Sequence, residues 1–89
     1  MILFISYDLK NPNKNYEPFY NTLKEQGVWW HYLKSTWLLD TNKTPDQVYE
    51  ALRHHIEQAD RILVGTMVGP KQGWLEKEAW DWINARLGR

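Results

Sequence analysis

The opening run Met-Ile-Leu-Phe-Ile-Ser-Tyr-Asp constrains the fold of this chain more than any other feature. At a strand period of two, Ile2, Phe4, Ser6 and Asp8 share one face, and Leu3, Ile5 and Tyr7 share the other. A strand that is apolar on both faces belongs in the middle of a sheet covered on both sides. A chain of 89 residues can cover one side with its own helices, so the expected second cover is another copy of the same chain. The strand stops in a carboxylate, Asp8, which this reading sets near a sheet edge and close to a subunit interface.

After a polar loop, Leu9 to Asn15, the residues Tyr16, Phe19, Tyr20 and Leu23 recur at helical spacing. They predict a helix from about Tyr16 to Gln26, capped by Asn15 and ended by Gly27. From Val28 to Asp40, β-branched and aromatic residues dominate, which predicts a strand pair turning at Lys34-Ser35. Thr44-Pro45-Asp46-Gln47 combines an N-cap threonine, a proline at the first helical position and a glutamine at the third. The helix it starts is expected to reach about Gln58, with Val48, Ala51, Leu52, His55 and Ile56 on its apolar stripe. Arg61 to Val68 reads as a strand apolar on both faces, and Gly69 to Gly73 as a loop. A last helix, Leu75 to Leu87, carries Leu75, Ala79, Trp82, Ile83 and Leu87 on its apolar face, with Trp80 at the margin.

Strand, helix and strand therefore occur twice before the final helix. With right-handed crossovers this order predicts an α+β, ferredoxin-like βαββαβ sandwich whose first and third strands are central. The chain is expected to be one domain over residues 1–89, with a core over 1–68 and a C-terminal loop and helix over 69–89.

Eleven basic residues balance eleven acidic ones, which argues against strong, sequence-blind binding to duplex DNA. With no cysteine there is no thiol nucleophile, disulfide or thiolate metal site. The apolar start is too short for a signal-peptide core, and no run is long enough for a membrane span. The expectation is a soluble cytoplasmic protein with no membrane partner. Six tryptophans and five tyrosines are the unusual part of the composition; they can supply core, dimer interface or stacking faces for bases.

Several positions carry a resemblance. Ser6-Tyr7-Asp8 closes the first strand, Gly27 ends the first helix, and Ser35 precedes Trp37 by two residues. Asp60-Arg61 leads into the last core strand. In this order and spacing, over about residues 1 to 68, the chain resembles the small CRISPR-associated protein two family and its VapD-type and SinR-like relatives. The stretch from Gly73 to Ile83 is more like the SinR-like branch. The resemblance implies a ferredoxin-like homodimer and metal-dependent nuclease activity, with the aspartate after the first strand of each subunit facing a shared cleft. Carried over, Asp8 would be the catalytic, metal-binding carboxylate for Mg²⁺ or Mn²⁺, and Ser35 a supporting polar group. The substrate would be RNA, DNA or a nucleotide. The family often follows its aspartate with basic residues; here Leu9-Lys10-Asn11 supplies one lysine.

On the residues themselves, a carboxylate at a strand end can hold Mg²⁺ largely through water, or simply be an exposed charge where the strand stops. Of Trp29 and Trp30, one is expected to pack inward and the other to face out, where with His31 it could stack on a base. Tyr7 and Trp37 complete the candidate binding set. His54 and His55 diverge on a helix and read as structural. The alternative to a nuclease is a non-catalytic module that binds a small nucleotide or a protein partner at an aromatic-rich dimer surface.

Overall fold

The computed structural model describes residues 1–87, and the side chain of Leu87 lies outside the described residues. The elements are β1 (Ile2–Asp8), α1 (Glu17–Lys24), β2 (Val28–Leu33), β3 (Thr36–Asp40), α2 (Pro45–Leu52), β4 (Arg61–Thr66) and α3 (Lys77–Leu87). A single 3₁₀ turn, Arg53–His55, follows α2. The four strands form one antiparallel sheet in the order β2-β3-β1-β4. The architecture is α+β, compatible with a small ferredoxin-like fold.

The doubly apolar strand β1 is central, as its sequence requires. Leu3 and Ile5 point to the side covered by α1 and α2, where Phe19, Leu23, Trp37, Leu39, Val48 and Leu52 complete a buried cluster. Ile2 points to the other side and packs with Trp30, Leu38, Ala79 and Ile83. This second cover is α3 of the same chain and not, as the sequence suggested, another copy. Trp30 fastens it: the indole N–H donates to the Ala79 carbonyl at 3.2 Å. Arg86 adds an ion pair to Asp40 at 3.0 Å. The cover is incomplete at the far edge, where Leu63 of β4 is 62% exposed. Hence β4 is not enclosed on both faces as its apolar run suggested.

Local chemistry sets most element ends. Thr44 Oγ1 accepts from Gln47 N at 3.2 Å while Gln47 Oε1 accepts from Thr44 N at 2.9 Å, a reciprocal cap that contributes about 1 kcal/mol. The helix it starts ends at Leu52, short of the expected Gln58, because the chain beyond is extended at Ile56 and Glu57 N donates to Asp60. In α1 the N-cap is Tyr16, and Asn15 contributes a local bond from Glu17 N to its Oδ1 at 3.0 Å. Helix α1 also ends before Gly27. That glycine lies against β3, where a Cβ would overlap the carbonyl oxygen of Asp40. On the opposite edge, a Cβ at Gly65 would lie 2.6 Å from Phe4 Cζ, so the bare backbone of β4 lets the Phe4 ring lie across it. Helix α3 starts at Lys77, two residues later than expected, and Leu75 packs against the second cluster from the preceding loop.

Candidate functional site

Strand β2 breaks its own alternation. Trp30 pairs with Leu38 but Leu33 pairs with Thr36, so an extra residue bulges between them. On the side of α1, Trp29 pairs with Leu39, and His31 lies over Trp37 with ring centroids 4.1 Å apart and planes at 15°. Tyr20, from α1, lies nearly parallel to Trp37 at 14°, and Trp29 meets Trp37 at 5.2 Å. Trp37 is 2% exposed whereas Trp29 is 43% exposed. The result is an aromatic platform with a buried base and an open edge. Lys24 Nζ sits 5.1 Å from the Trp29 ring, within cation–π range. Glu17, Tyr20, Lys24, Trp29, His31 and Trp37 together line a groove of about 220 Å³.

Hydrogen bonds fix this platform from below. The Trp37 indole N–H donates to Tyr7 Oη at 3.0 Å, and the Tyr7 hydroxyl donates to the Lys34 carbonyl at 3.4 Å. The same carbonyl lies 3.1 Å from His31 Nε2, which donates to it. Burial is the largest influence on the Tyr7 hydroxyl; against the opposing pull of the Trp37 N–H, its pKa is pushed up to about 12. Tyr7 thus stays a neutral donor across the physiological range.

Four of the five aromatic residues singled out in the sequence, Tyr7, Trp29, His31 and Trp37, come together here. Trp30 does not: it is 2% exposed on the other face, under α3. Glu17, Tyr20 and Lys24 join them from α1, and of these only Tyr20 stands out in the sequence, as part of the apolar stripe of that helix. Their spacing of three and four along α1 places the three on one side of the helix.

Asp8 and Ser35 lie at the same end of the sheet, since Tyr7 N donates to the Ser35 carbonyl at 3.0 Å. Asp8 is solvated, with its side chain 64% exposed, and pairs with Lys10 at 2.9 Å. One exposed carboxylate already facing an ammonium is a poor donor set for a resident Mg²⁺ or Mn²⁺, which needs several oxygens. Among the described residues no group of three or more His, Asp or Glu side chains is gathered to hold a metal ion. Within one chain, then, the residues at Asp8 do not fit the metal implied by the resemblance. His54 is exposed; His55 lies in the 3₁₀ turn with Nε2 3.1 Å from Thr22 Oγ1, tying that turn to α1.

The carboxylate with the densest partners is Asp60, 5% exposed. Its Oδ1 accepts from Lys10 N at 2.8 Å, its Oδ2 accepts from Glu57 N at 2.8 Å, and the Tyr16 hydroxyl reaches both oxygens at 3.0 Å. Both oxygens accept from structural donors and the group is buried, so Asp60 clamps two loops.

Among the described residues no helix is long and apolar enough to cross a membrane. No family model, curated protein or solved structure matches the chain.

Proposed function

We propose that this chain is a ferredoxin-like, homodimeric binding module for nucleotides or single-stranded nucleic acid. The observation that carries the binding reading is the platform itself: a half-exposed Trp29 and a stacked His31 on a buried Trp37, with Lys24 at the rim. Unpaired bases stack on such faces for about 1–3 kcal/mol each, largely without sequence preference. A lysine beside the stacked base supplies the phosphate contact. Zero net charge suits a short, unstacked ligand better than a duplex, whose binding needs many cations. The ferredoxin-like assignment is supported by the strand order, in which each strand–helix–strand half encloses one strand of the other half. The homodimer is supported by the exposed Leu63 on edge strand β4, an apolar side chain that pairing with a second copy would cover.

Titration with oligouridylate and with mononucleotides, read by tryptophan fluorescence, tests the reading. Trp29→Ala is expected to weaken binding roughly 5- to 150-fold, the equivalent of one stacked base, with the fold intact. Lys24→Gln should lower the slope of log affinity against log salt by about 0.7, the loss of one single-strand phosphate contact. Binding that ignores both substitutions would remove the groove from the function.

Metal-dependent hydrolysis at Asp8 is carried by the family resemblance and by no ligand set within one chain. Cleavage of labelled RNA or DNA with Mg²⁺ or Mn²⁺ that vanishes in Asp8→Ala would replace the binding module with a nuclease. The proposal expects no Asp8-dependent cleavage.

A further inference from the structure

We propose a second binding site, on the opposite face of the sheet from the aromatic groove, that takes a small amphipathic carboxylate. Helix α3 touches the sheet through Ala79 and Ile83. Beside that contact it leaves a cavity of about 290 Å³ between sheet, helix and the preceding loop. Phe4, Trp30, Leu33, Leu38, Leu75 and Trp80 supply most of its wall. Most of the polar groups in that wall are already engaged: the Trp30 N–H donates to the Ala79 carbonyl, the Thr36 hydroxyl shares a 3.1 Å bond with Ser6, and Gln72, exposed at the rim, accepts from Gly73 N through its Oε1. Water needs about 2–4 polar partners to be held, and this wall offers little to it.

The one charged side chain in the wall is Lys71. Its ammonium donates to the Gly69 carbonyl, and among the described residues it pairs with no carboxylate. Lys71, Trp80 and Ile83 also line an adjoining outer pocket of about 620 Å³, together with Asn84. Lys71 therefore stands where the apolar cavity meets the adjoining pocket. The neighbouring acids do not compete for it. Asp81 is bonded to Lys77 at 2.8 Å, and Glu76 and Glu78 are exposed and lie outside the wall.

These features select the ligand chemistry. An apolar wall stabilises an uncharged apolar body, and a lone ammonium with spare donors at its mouth matches one monoanionic head. At about 30 Å³ per heavy atom, the packing of a small-molecule liquid, the cavity holds a body of about ten heavy atoms. A single-ring aryl acid or a medium-chain fatty acid fits this description. A nucleotide does not, because its sugar and phosphate would leave polar groups unpaired against the wall. This site is independent of the nucleotide reading.

Calorimetric titration with octanoate, and with its neutral counterpart octanamide, tests the site at neutral pH and low salt. Saturable octanoate binding is expected, weakened at least about tenfold by Lys71→Gln, with octanamide binding unchanged by that substitution. Leu33→Trp, at a wall position that is 45% exposed, should block both ligands while the fold persists by circular dichroism. Trp29→Ala should leave octanoate binding untouched, which separates this site from the groove. No saturable octanoate binding up to about 5 mM, or a Lys71→Gln variant that binds octanoate as tightly as the wild type, would overturn the proposal.

Discussion

Replacing Asp60 by Ala is expected to destabilise the fold by about 3 kcal/mol, a large share of the roughly 5–15 kcal/mol that holds a domain of this size. The substitution leaves the Lys10 and Glu57 N–H groups and the Tyr16 hydroxyl facing an apolar methyl. The two backbone donors cannot turn to find water without moving the loops they belong to. Asp60→Asn is the sharper test because it keeps the volume. One of its two positions becomes an NH₂ that confronts either Lys10 N–H or Glu57 N–H, donor against donor. Urea unfolding should register Asp60→Ala as a midpoint lowered by about 2 M, at a slope near 1.5 kcal/mol/M. A loss below about 1 kcal/mol would mean that the loops do not depend on this carboxylate.

The same clamp predicts an acid limb of the stability curve. Burial pushes the Asp60 carboxyl up, but the N–H groups of Lys10 and Glu57, the Tyr16 hydroxyl and the Lys14 charge together outweigh it and hold the group below its ordinary 3.8. A carboxyl depressed in the folded state stabilises the fold above its unfolded pKa and loses that contribution as pH falls through the folded value. The wild-type advantage over Asp60→Asn should therefore be full at neutral pH and shrink below about pH 3.8.

Asp60 also marks what the sequence could not express. A lone acid between a helix and a strand reads as a boundary residue; two of its three donors, Lys10 N and the Tyr16 hydroxyl, come from a segment 44 to 50 residues away. Features set by neighbours in the chain were legible: the Thr44–Gln47 cap, the Lys34-Ser35 turn and the central place of β1 and β3. Features set by tertiary contact were not. The bulge in β2, which brings His31 onto Trp37, leaves no mark in a run of aromatics that already lacked alternation. Likewise, the apolar face of α3 fits its own sheet or a neighbour's equally well as a pattern; the Trp30 bond to Ala79 and the Arg86 pair with Asp40 are what fix it on its own. In the groove, the strand residues Trp29, His31 and Trp37 are legible as aromatics, whereas on α1 only Tyr20 falls in the apolar stripe and the polar Glu17 and Lys24 carry no pattern of their own.

Trp37→Ala is expected to have the largest effect of any substitution in the groove, costing about 3–5 kcal/mol of stability and abolishing nucleotide binding in whatever fraction stays folded. Three rings rest on Trp37: His31 at 4.1 Å, Trp29 at 5.2 Å and Tyr20 at 6.2 Å. Removing the indole opens a cavity under all of them and leaves the Tyr7 hydroxyl without its donor. Because Trp37→Ala confounds folding with binding, Trp37→Phe separates them. A phenyl ring still supports His31 but cannot donate to Tyr7, so stability should fall by only about 1 kcal/mol and binding should largely survive. Tyr7 supplies the independent readout. Its hydroxyl is held neutral up to about 12 by burial, and the Trp37 N–H is the influence that opposes this. In Trp37→Phe the Tyr7 titration, followed by phenolate absorbance, should therefore move further up. A group whose folded pKa is raised stabilises the fold below its unfolded value and loses that contribution as pH rises to the folded one. For Tyr7 this places an alkaline loss of stability between pH 10.0 and about 12. A Tyr7 that titrates as an ordinary tyrosine would show the hydroxyl to be solvated, and the platform would then have lost its foundation: a Trp37 not fixed from below could not present Trp29 and His31 as a rigid stacking face.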